Sequence, residues 1–313
     1  MTTVLFTCAG MRVDVVTAFK DAGATTIAVD ADPLAPTLHH VDEDVLVPRV
    51  DDPAYIPALA EVVGSRGVAL VIPLTDIDSV LLAQRRDELG APLLLPDTEI
   101  VVKTADKYEA HELFEQHGIP TPPSWLPGDV PADARYPLLV KSRYGYGSRN
   151  IYRANDRREL DFFLDYTPAE SFVQTCCLGE EFSIDVLCDF EGRCLNAIPR
   201  TMILSKGGES IQGMTIKDGE LIEAGRRVAE ALPLKGPATI QVFLEDGEHR
   251  VTDVNPRFGG AFPLPLAAGG RYPELVLALA AGEQPEPTLG EFRQGVVMTR
   301  FYSSVELEPQ AVS

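Results

Sequence analysis

The sequence predicts an α/β N-terminal part built on a parallel sheet, followed by an α+β remainder built on antiparallel strands. Three observations carry this reading. Short apolar runs alternate with helical periodicity over residues 1–97, tight Glu191-Gly192 and Asp246-Gly247 turns join later apolar runs, and a proline-rich stretch, TPPSWLPGDVP, separates the two parts. In the first part, residues 4–8, 26–29, 45–47, 69–73 and 92–95 read as five strands, with helices at 13–22, 54–65 and 77–89 between them. Strands that alternate with helices form a parallel sheet covered on both faces. Ligands of such sheets sit outside the carboxyl ends of the strands, here 9–12, 30–33 and 74–78. Residues 98–119 read as a helical connection with Thr98 as N-cap, ended by Gly118 and Pro120. A small α+β unit follows over 120–180, and a larger one over 181–313. The larger unit has strands at 182–188, 194–198, 240–245 and 251–254, helices at 219–231 and 273–281, and a closing strand at 296–302.

Composition narrows the function. The 313 residues, 45% of them apolar, are enough for two or three cores. No apolar run reaches the roughly 18 residues of a membrane span. The opening MTTVLFTCAG reads as a first strand rather than a signal peptide, so a cytoplasmic protein is expected. A formal charge of -20 with no basic stripe argues against a nucleic-acid partner. Cys8, Cys176, Cys177, Cys188 and Cys194 form no C-x-x-C pair and have no histidine at ligand spacing, so neither a disulfide framework nor a zinc site is expected. The first turn, C-A-G-M-R-V-D, offers Gly10 where a dinucleotide fingerprint needs three glycines, and a P-loop is absent.

Four segments point to one nucleotide site. In YPLLVKSRYGYGSRNI an apolar strand delivers Lys141 as a point charge for phosphate oxygens. Gly145, Gly147 and Ser148 then form a turn whose N–H groups can fold over phosphates. Lys107 lies on the preceding helix. In FVQTCCLGEEFSID the extended segment Cys176, Cys177 and Leu178 can meet an adenine edge, while Gln174 and Glu181 supply polar contacts to the base and ribose. In ATIQVFLEDGEHRVTDVNPRFGGA, Gln241 sits on one strand and Asp253 and Asn255 on the next. Asp253 and Asn255, two residues apart, share a face and form a hard-oxygen set suited to magnesium. Arg257 follows, placed to clamp a migrating phosphoryl group. The first three segments each also have a plain structural reading, as a hairpin, a solvated lysine and a domain crossover, whereas the fourth has little structural use.

Taken together and in this order, Lys107, Lys141 with its S-R-Y-G-Y-G-S loop, Gln174 with Gly179-Glu180-Glu181, Gln241, and D-V-N-P-R from Asp253 to Arg257 resemble the ATP-grasp enzymes. Within them the chain is similar to stand-alone proteins like the synthetase subunit of carbamoyl phosphate synthase, including the openings F-T-C-A-G-M-R and D-A-D-P. The resemblance implies an N-terminal Rossmann-like (pre-ATP-grasp) domain over 1–97, a connection over 98–119, an ATP-grasp lid over 120–180 and a large antiparallel-sheet domain over 181–313. It implies ATP and magnesium, with manganese as a substitute. Lys107 and Lys141 would lie on phosphates, Gln174 and Glu181 on the adenine and ribose, Gln241, Asp253 and Asn255 on the metal, and Arg257 on the phosphoryl group, with Lys206 of the S-K-G-G-E-S loop approaching the same phosphate. Position 253 is Asp where family members commonly have Glu, and position 241 is Gln, so the metal set carries little negative charge. The implied activity is that of a carboxylate–amine ligase working through an acyl phosphate, with ADP and phosphate released. Two alternatives stay open: phosphorylation of carbamate or another small acid without amide formation, and a non-catalytic nucleotide-binding subunit. A small carboxylic acid and an amine are the expected substrates, with Gly10, Arg12, Thr75, Asp76, Gly259 and Gly260 as candidate contacts. Related folds often form homodimers.

Overall fold

The computed structural model describes residues 2–145, 150–167, 170–206 and 209–307. Strands β1 (Thr3–Thr7), β2 (Thr25–Asp30), β3 (Glu43–Leu46) and β4 (Leu70–Pro73) make a parallel sheet in the order β3-β2-β1-β4. Alternate residues of these apolar strands serve two cores. Val4 and Phe6 pack with Val15, Val16 and Phe19 of α1 (Val13–Asp21). On the other face, Leu5 and Val71 pack with Leu59 of α2 (Tyr55–Arg66) and Leu82 of α3 (Ser79–Gln84). The order of strands reverses between β1 and β4, so their carboxyl ends frame the crevice where such sheets bind ligands.

Residues 92–95, expected as a fifth strand, add a single parallel bridge between Val71 and Leu93. Val71 N donates to Pro92 O and Leu94 N to Val71 O, but Pro92 and Pro96 have no N–H with which to extend the ladder. The helical connection is also two pieces, α4 (Thr98–Ala105) and α5 (Lys107–Gln116), and the cap before α4 is Asp97, with Thr98 its first helical residue. Asp106 makes the break: its backbone is extended and its carboxylate accepts from Tyr108 N and Glu109 N, which caps α5. Lys107 thereby becomes the first residue of a new helix.

The next unit holds β5 (Ser124–Trp125), β6 (Leu138–Ser142), β7 (Ile151–Ala154), α6 (Arg157–Tyr166) and β8 (Ser171–Thr175), in the sheet order β5-β8-β6-β7. Its core is small: Leu138, Val140, Ala154, Leu160 and Val173. The largest sheet contains β9 (Glu180–Cys188), β10 (Cys194–Lys206), β11 (Glu209–Thr215), β12 (Gly236–Glu245), β13 (Glu248–Asn255) and β14 (Val297–Thr299), in the order β13-β12-β9-β10-β11-β14 and antiparallel throughout. Helix α7 (Gly219–Ala231) lies on it, with Leu221, Ala224, Gly225, Val228 and Ala229 buried at helical spacing. Helices α8 (Pro263–Ala267) and α9 (Tyr272–Ala280) follow β13. Leu187, Leu195, Ile198, Phe258, Phe262 and Tyr272 join the cluster that contains Val4, Phe6 and Phe19, so the parallel sheet and the large sheet share one core. All the cysteines are free, and among the described residues no helix is long and apolar enough to cross a membrane.

Two glycines test the packing of helices on sheets. A Cβ on Gly225 would lie 2.6 Å from Ile184 Cγ2, whereas one on Gly64 in α2 would meet nothing within 4 Å. Gly225→Ala is expected to lower stability by about 1–2 kcal/mol, because overpacking outweighs the gain in helix propensity. Gly64→Ala should raise it by up to about 1 kcal/mol. Urea unfolding checks both, and equal effects would contradict the close contact of α7.

Candidate functional site

Strand alternation divides the large sheet into an apolar face and a polar one. Phe182, Ile184, Val186, Ile240, Val242 and Val254 turn to the core under α7. The register pairs Gln241 with Ser183 and with Asp253, Thr239 with Asp185 and with Asn255, and Arg200 with Ser183. These residues, with Glu181, therefore share the opposite face.

A chain of polar contacts runs along one edge of that face. Lys107 Nζ donates to both Asp253 oxygens at 3.2 Å, and Asn255 Nδ2 donates to Asp253 Oδ2 at 3.0 Å. Arg257 Nη2 donates to Asn255 Oδ1 at 3.4 Å, and its Nε and Nη2 reach the Asp76 carboxylate at 3.1–3.2 Å. Lys107, Asp253, Asn255, Arg257 and Asp76 thus link the connection, the large sheet and the parallel sheet. Burial works to raise the Asp253 carboxyl, but Lys107, Asn255 and Lys141 outweigh it and hold it below the ordinary carboxylate range. The break at Asp106 is what aims Lys107. Arg143 grips Asp106 at 2.6–3.2 Å, and Lys107 N donates to Arg143 O at 2.9 Å, which ties the start of α5 to the end of β6.

Beside this chain lies a cavity of about 350 Å³ between the small sheet and the large one, lined among others by Lys141, Gln174, Cys176, Cys177, Glu181 and Gln241. Lys141 Nζ donates to Gln174 Oε1 at 2.6 Å, and Gln174 Nε2 to Ser124 Oγ at 2.9 Å, so the lysine is aimed by a relay across three strands. Burial pushes the Lys141 amine down, against the pull of Asp253, and pushes the Glu181 carboxyl up, against the pull of Lys141 and Arg200. A second cavity of about 300 Å³, between Arg86 and Lys235, lies at the side of the parallel sheet and contains none of these groups. Leu178 is 65% exposed, is not among the lining residues, and its N–H is taken by Glu245 Oε1 at 2.8 Å. Gly145 has φ +120, a conformation that glycine adopts without strain. Gly147 and Ser148 lie outside the described residues, as does the Lys206 side chain.

Among the described residues no three His, Cys, Asp or Glu side chains converge on a metal-sized site. Gln241, Asp253 and Asn255 supply oxygens with a single carboxylate among them. Such a set fits magnesium when phosphate oxygens complete the shell, as that ion's preference for hard oxygen ligands allows.

At the carboxyl ends of β1 and β4 the candidate substrate contacts are engaged with the protein itself. Gly10 N donates to Asp30 Oδ2 at 2.8 Å, and Thr75 Oγ1 accepts from Ile77 N at 3.3 Å. Arg12 bonds Asp14 and donates to Leu74 O, Phe258 O and Gly259 O at 2.9–3.3 Å. It stitches the parallel sheet to the loop after Arg257. Gly259 is required where it stands: a Cβ there would lie 2.4 Å from Thr239 Oγ1 and 2.7 Å from Asp185 Oδ1, while one on Gly260 would meet open space. Sequence reasoning missed the group beneath it. Arg200 Nε donates to Asp185 Oδ2 at 2.7 Å and Thr239 Oγ1 to Asp185 Oδ1 at 2.8 Å. The signal was present in F-S-I-D-V and A-I-P-R-T, where charged residues interrupt strands otherwise fit for a core.

The comparisons agree with this architecture. Residues 4–93 match the PylC-like N-terminal domain, and residues 104–261, about half of the chain, match the ATP-grasp domain. The carbamoyl phosphate synthase large chain of Deinococcus radiodurans is 24% identical over 274 residues, which are 80% of this chain and 26% of that protein. A carbamoyl-phosphate synthase of Methanobrevibacter smithii is 26% identical over 209 residues, 62% of this chain and 53% of that one. The chain thus spans between about a quarter and about half the length of these relatives. The biotin carboxylase domain of Hydrogenobacter thermophilus 2-oxoglutarate carboxylase, solved with MgADP, ADP and bicarbonate, superposes with a TM-score of 0.76 at 17% identity, over 95% of this chain and 73% of that one. An L-amino acid ligase of Bacillus licheniformis gives 0.73 at 20%, over 94% and 78%.

Asp78, next to these strand ends, is wholly buried and accepts from the Tyr55 hydroxyl at 2.8 Å, and burial pushes its carboxyl up. An acid raised in this way stabilises the fold below its unfolded value near 3.8, and that contribution is lost as pH rises through the folded value. Asp78→Asn should therefore raise the urea midpoint at neutral pH and lose this advantage below about pH 3.8. A variant less stable than wild type at neutral pH would contradict the buried, raised carboxyl.

Proposed function

The chain belongs to the ATP-grasp family, and from that premise we propose that it is an ATP- and magnesium-dependent ligase that joins a carboxylic acid to an amine through an acyl phosphate. The observation that carries this reading is the polar chain from Lys107 to Asp76 at the edge of the cavity lined by Lys141, Gln174 and Glu181. A triphosphate needs cations at one end and an oxygen set for its metal; Lys107 at the start of α5 and Lys141 on β6 supply the first, and Gln241, Asp253 and Asn255 on the adjacent strands β12 and β13 supply the second. In this reading Cys176, Cys177, Gln174 and Glu181 hold the base and ribose, and Lys107 and Lys141 lie along the phosphates. Magnesium, held by Gln241, Asp253 and Asn255, would neutralise phosphate charge.

Carboxylates are poor acyl donors, and phosphorylation supplies a leaving group. The protein's part is positioning and charge stabilisation. Arg257, whose Nε and Nη2 are held by the Asp76 carboxylate at the parallel sheet, would bring its positive charge to the terminal phosphoryl group as negative charge builds there. The small sheet, with a core of its own, is suited to move as a lid that excludes water from the acyl phosphate. The carbamoyl phosphate synthase relatives favour a second reading, in which an acyl phosphate is itself the product.

Arg257→Ala is expected to lower acid-dependent ADP release by roughly a hundredfold, with nucleotide affinity little changed. Hydroxylamine added to the wild-type reaction should yield a hydroxamate. Unchanged turnover in the variant would remove Arg257 from the reaction, and ADP release without hydroxamate across a panel of acids would count against an acyl phosphate.

A further inference from the structure

The cations near the reacting end are nearly all engaged. Arg12 is bound to Asp14 and three carbonyl groups, Lys107 to Asp253, Lys141 to Gln174, and Arg257 to Asp76. Arg200 differs. It is 4% exposed, the one cationic side chain fully buried among the described residues. There its Nε donates to Asp185, and the Nη1–Nη2 edge of the guanidinium has no hydrogen-bond partner among them. Directly across the register, the hydroxyl of Ser183 has none either.

A guanidinium presents its donors in a fixed planar fork, and an edge of that fork left open can take an anion. The way Asp185 holds Arg200 is informative. Asp185 uses one oxygen for Arg200 Nε and the other for Thr239, which leaves the two-nitrogen edge open, and that edge matches a carboxylate bidentately. The pair also lies under the reacting loop, since a Cβ on Gly259, two residues after Arg257, would come within 2.7 Å of Asp185. We infer that Arg200, with Ser183, forms the subsite that takes the carboxylate group of the acid substrate, with Asp185 as its positioning residue. This inference rests on the ligase reading for its substrate, and on the geometry alone for its anion.

The test is calorimetric titration of acetate and of bicarbonate into protein loaded with magnesium and a nonhydrolysable ATP analogue, for wild type and Arg200→Lys. A lysine keeps the charge and loses the fork, so affinity for the probe should fall roughly tenfold or more while affinity for the analogue stays within about twofold. If Arg200→Lys fails to fold, Arg200→Met combined with Asp185→Asn removes the pair without leaving a buried charge, and the same loss is expected. Wild-type binding of neither probe, or equal binding by a folded variant, would leave Arg200 a purely structural brace and overturn the inference. Binding that depends on Arg200, in a protein whose ADP release no acid stimulates, would overturn the ligase reading and leave the anion subsite standing.

Discussion

The ion pair between Lys107 and Asp253 is the contact on which the site depends. Its members lie 146 positions apart in the chain, and neither is fully exposed, at 24% and 16% of the side chain. Charges withdrawn this far from water need partners, and here site residues meet that need for one another. Asp253 also receives the Asn255 amide, Asn255 receives Arg257, and Arg257 forks onto Asp76. In the proposed function a phosphate chain with its metal would offer the same groups stronger partners, so that ligand binding would be an exchange of ion pairs rather than the burial of bare charge.

Each member is held by local chemistry. Asp106 interrupts what would be one long helix, and the interruption turns Lys107 toward β13. Strand alternation sets Asp253 and Asn255 on one face, and the turn after Asn255 carries Arg257 toward the parallel sheet. The two sheets cannot drift apart cheaply, because they share a core around Phe6, Phe19 and Phe258, and Arg12 bonds the carbonyl groups of Phe258 and Gly259 across the join. The small sheet has a separate core, and Arg143 at the end of β6 ties it to the start of α5 through the Asp106 carboxylate and Lys107 N.

Much of this was legible from residue patterns. The parallel sheet followed from apolar runs alternating with helical periods, and the antiparallel part from its Gly-containing turns. D-V-N-P-R stood out because two polar groups on one face of a strand, followed by a rigid turn and an arginine, have little use in a core. What was not legible depended on distance in the fold. Arg12 read as a ligand contact, but its partners Leu74, Phe258 and Gly259 come together only when the sheets dock. Pro92 and Pro96 flank a run with strand composition, and their missing N–H groups reduce it to a bridge. The break at Asp106 was hidden by helix formers on both sides, and the pairing of Arg200 with Asp185 was hidden because it forms only across β9 and β10.

The central claim is tested most directly by a crystal structure with magnesium and a nonhydrolysable ATP analogue. The account predicts the base in the cavity bounded by Gln174 and Glu181, the phosphates between Lys107 and Lys141, and Asp253 turned from Lys107 to the metal. A nucleotide bound elsewhere, or one bound there with the Lys107–Asp253 pair intact and the metal held by other residues, would contradict it.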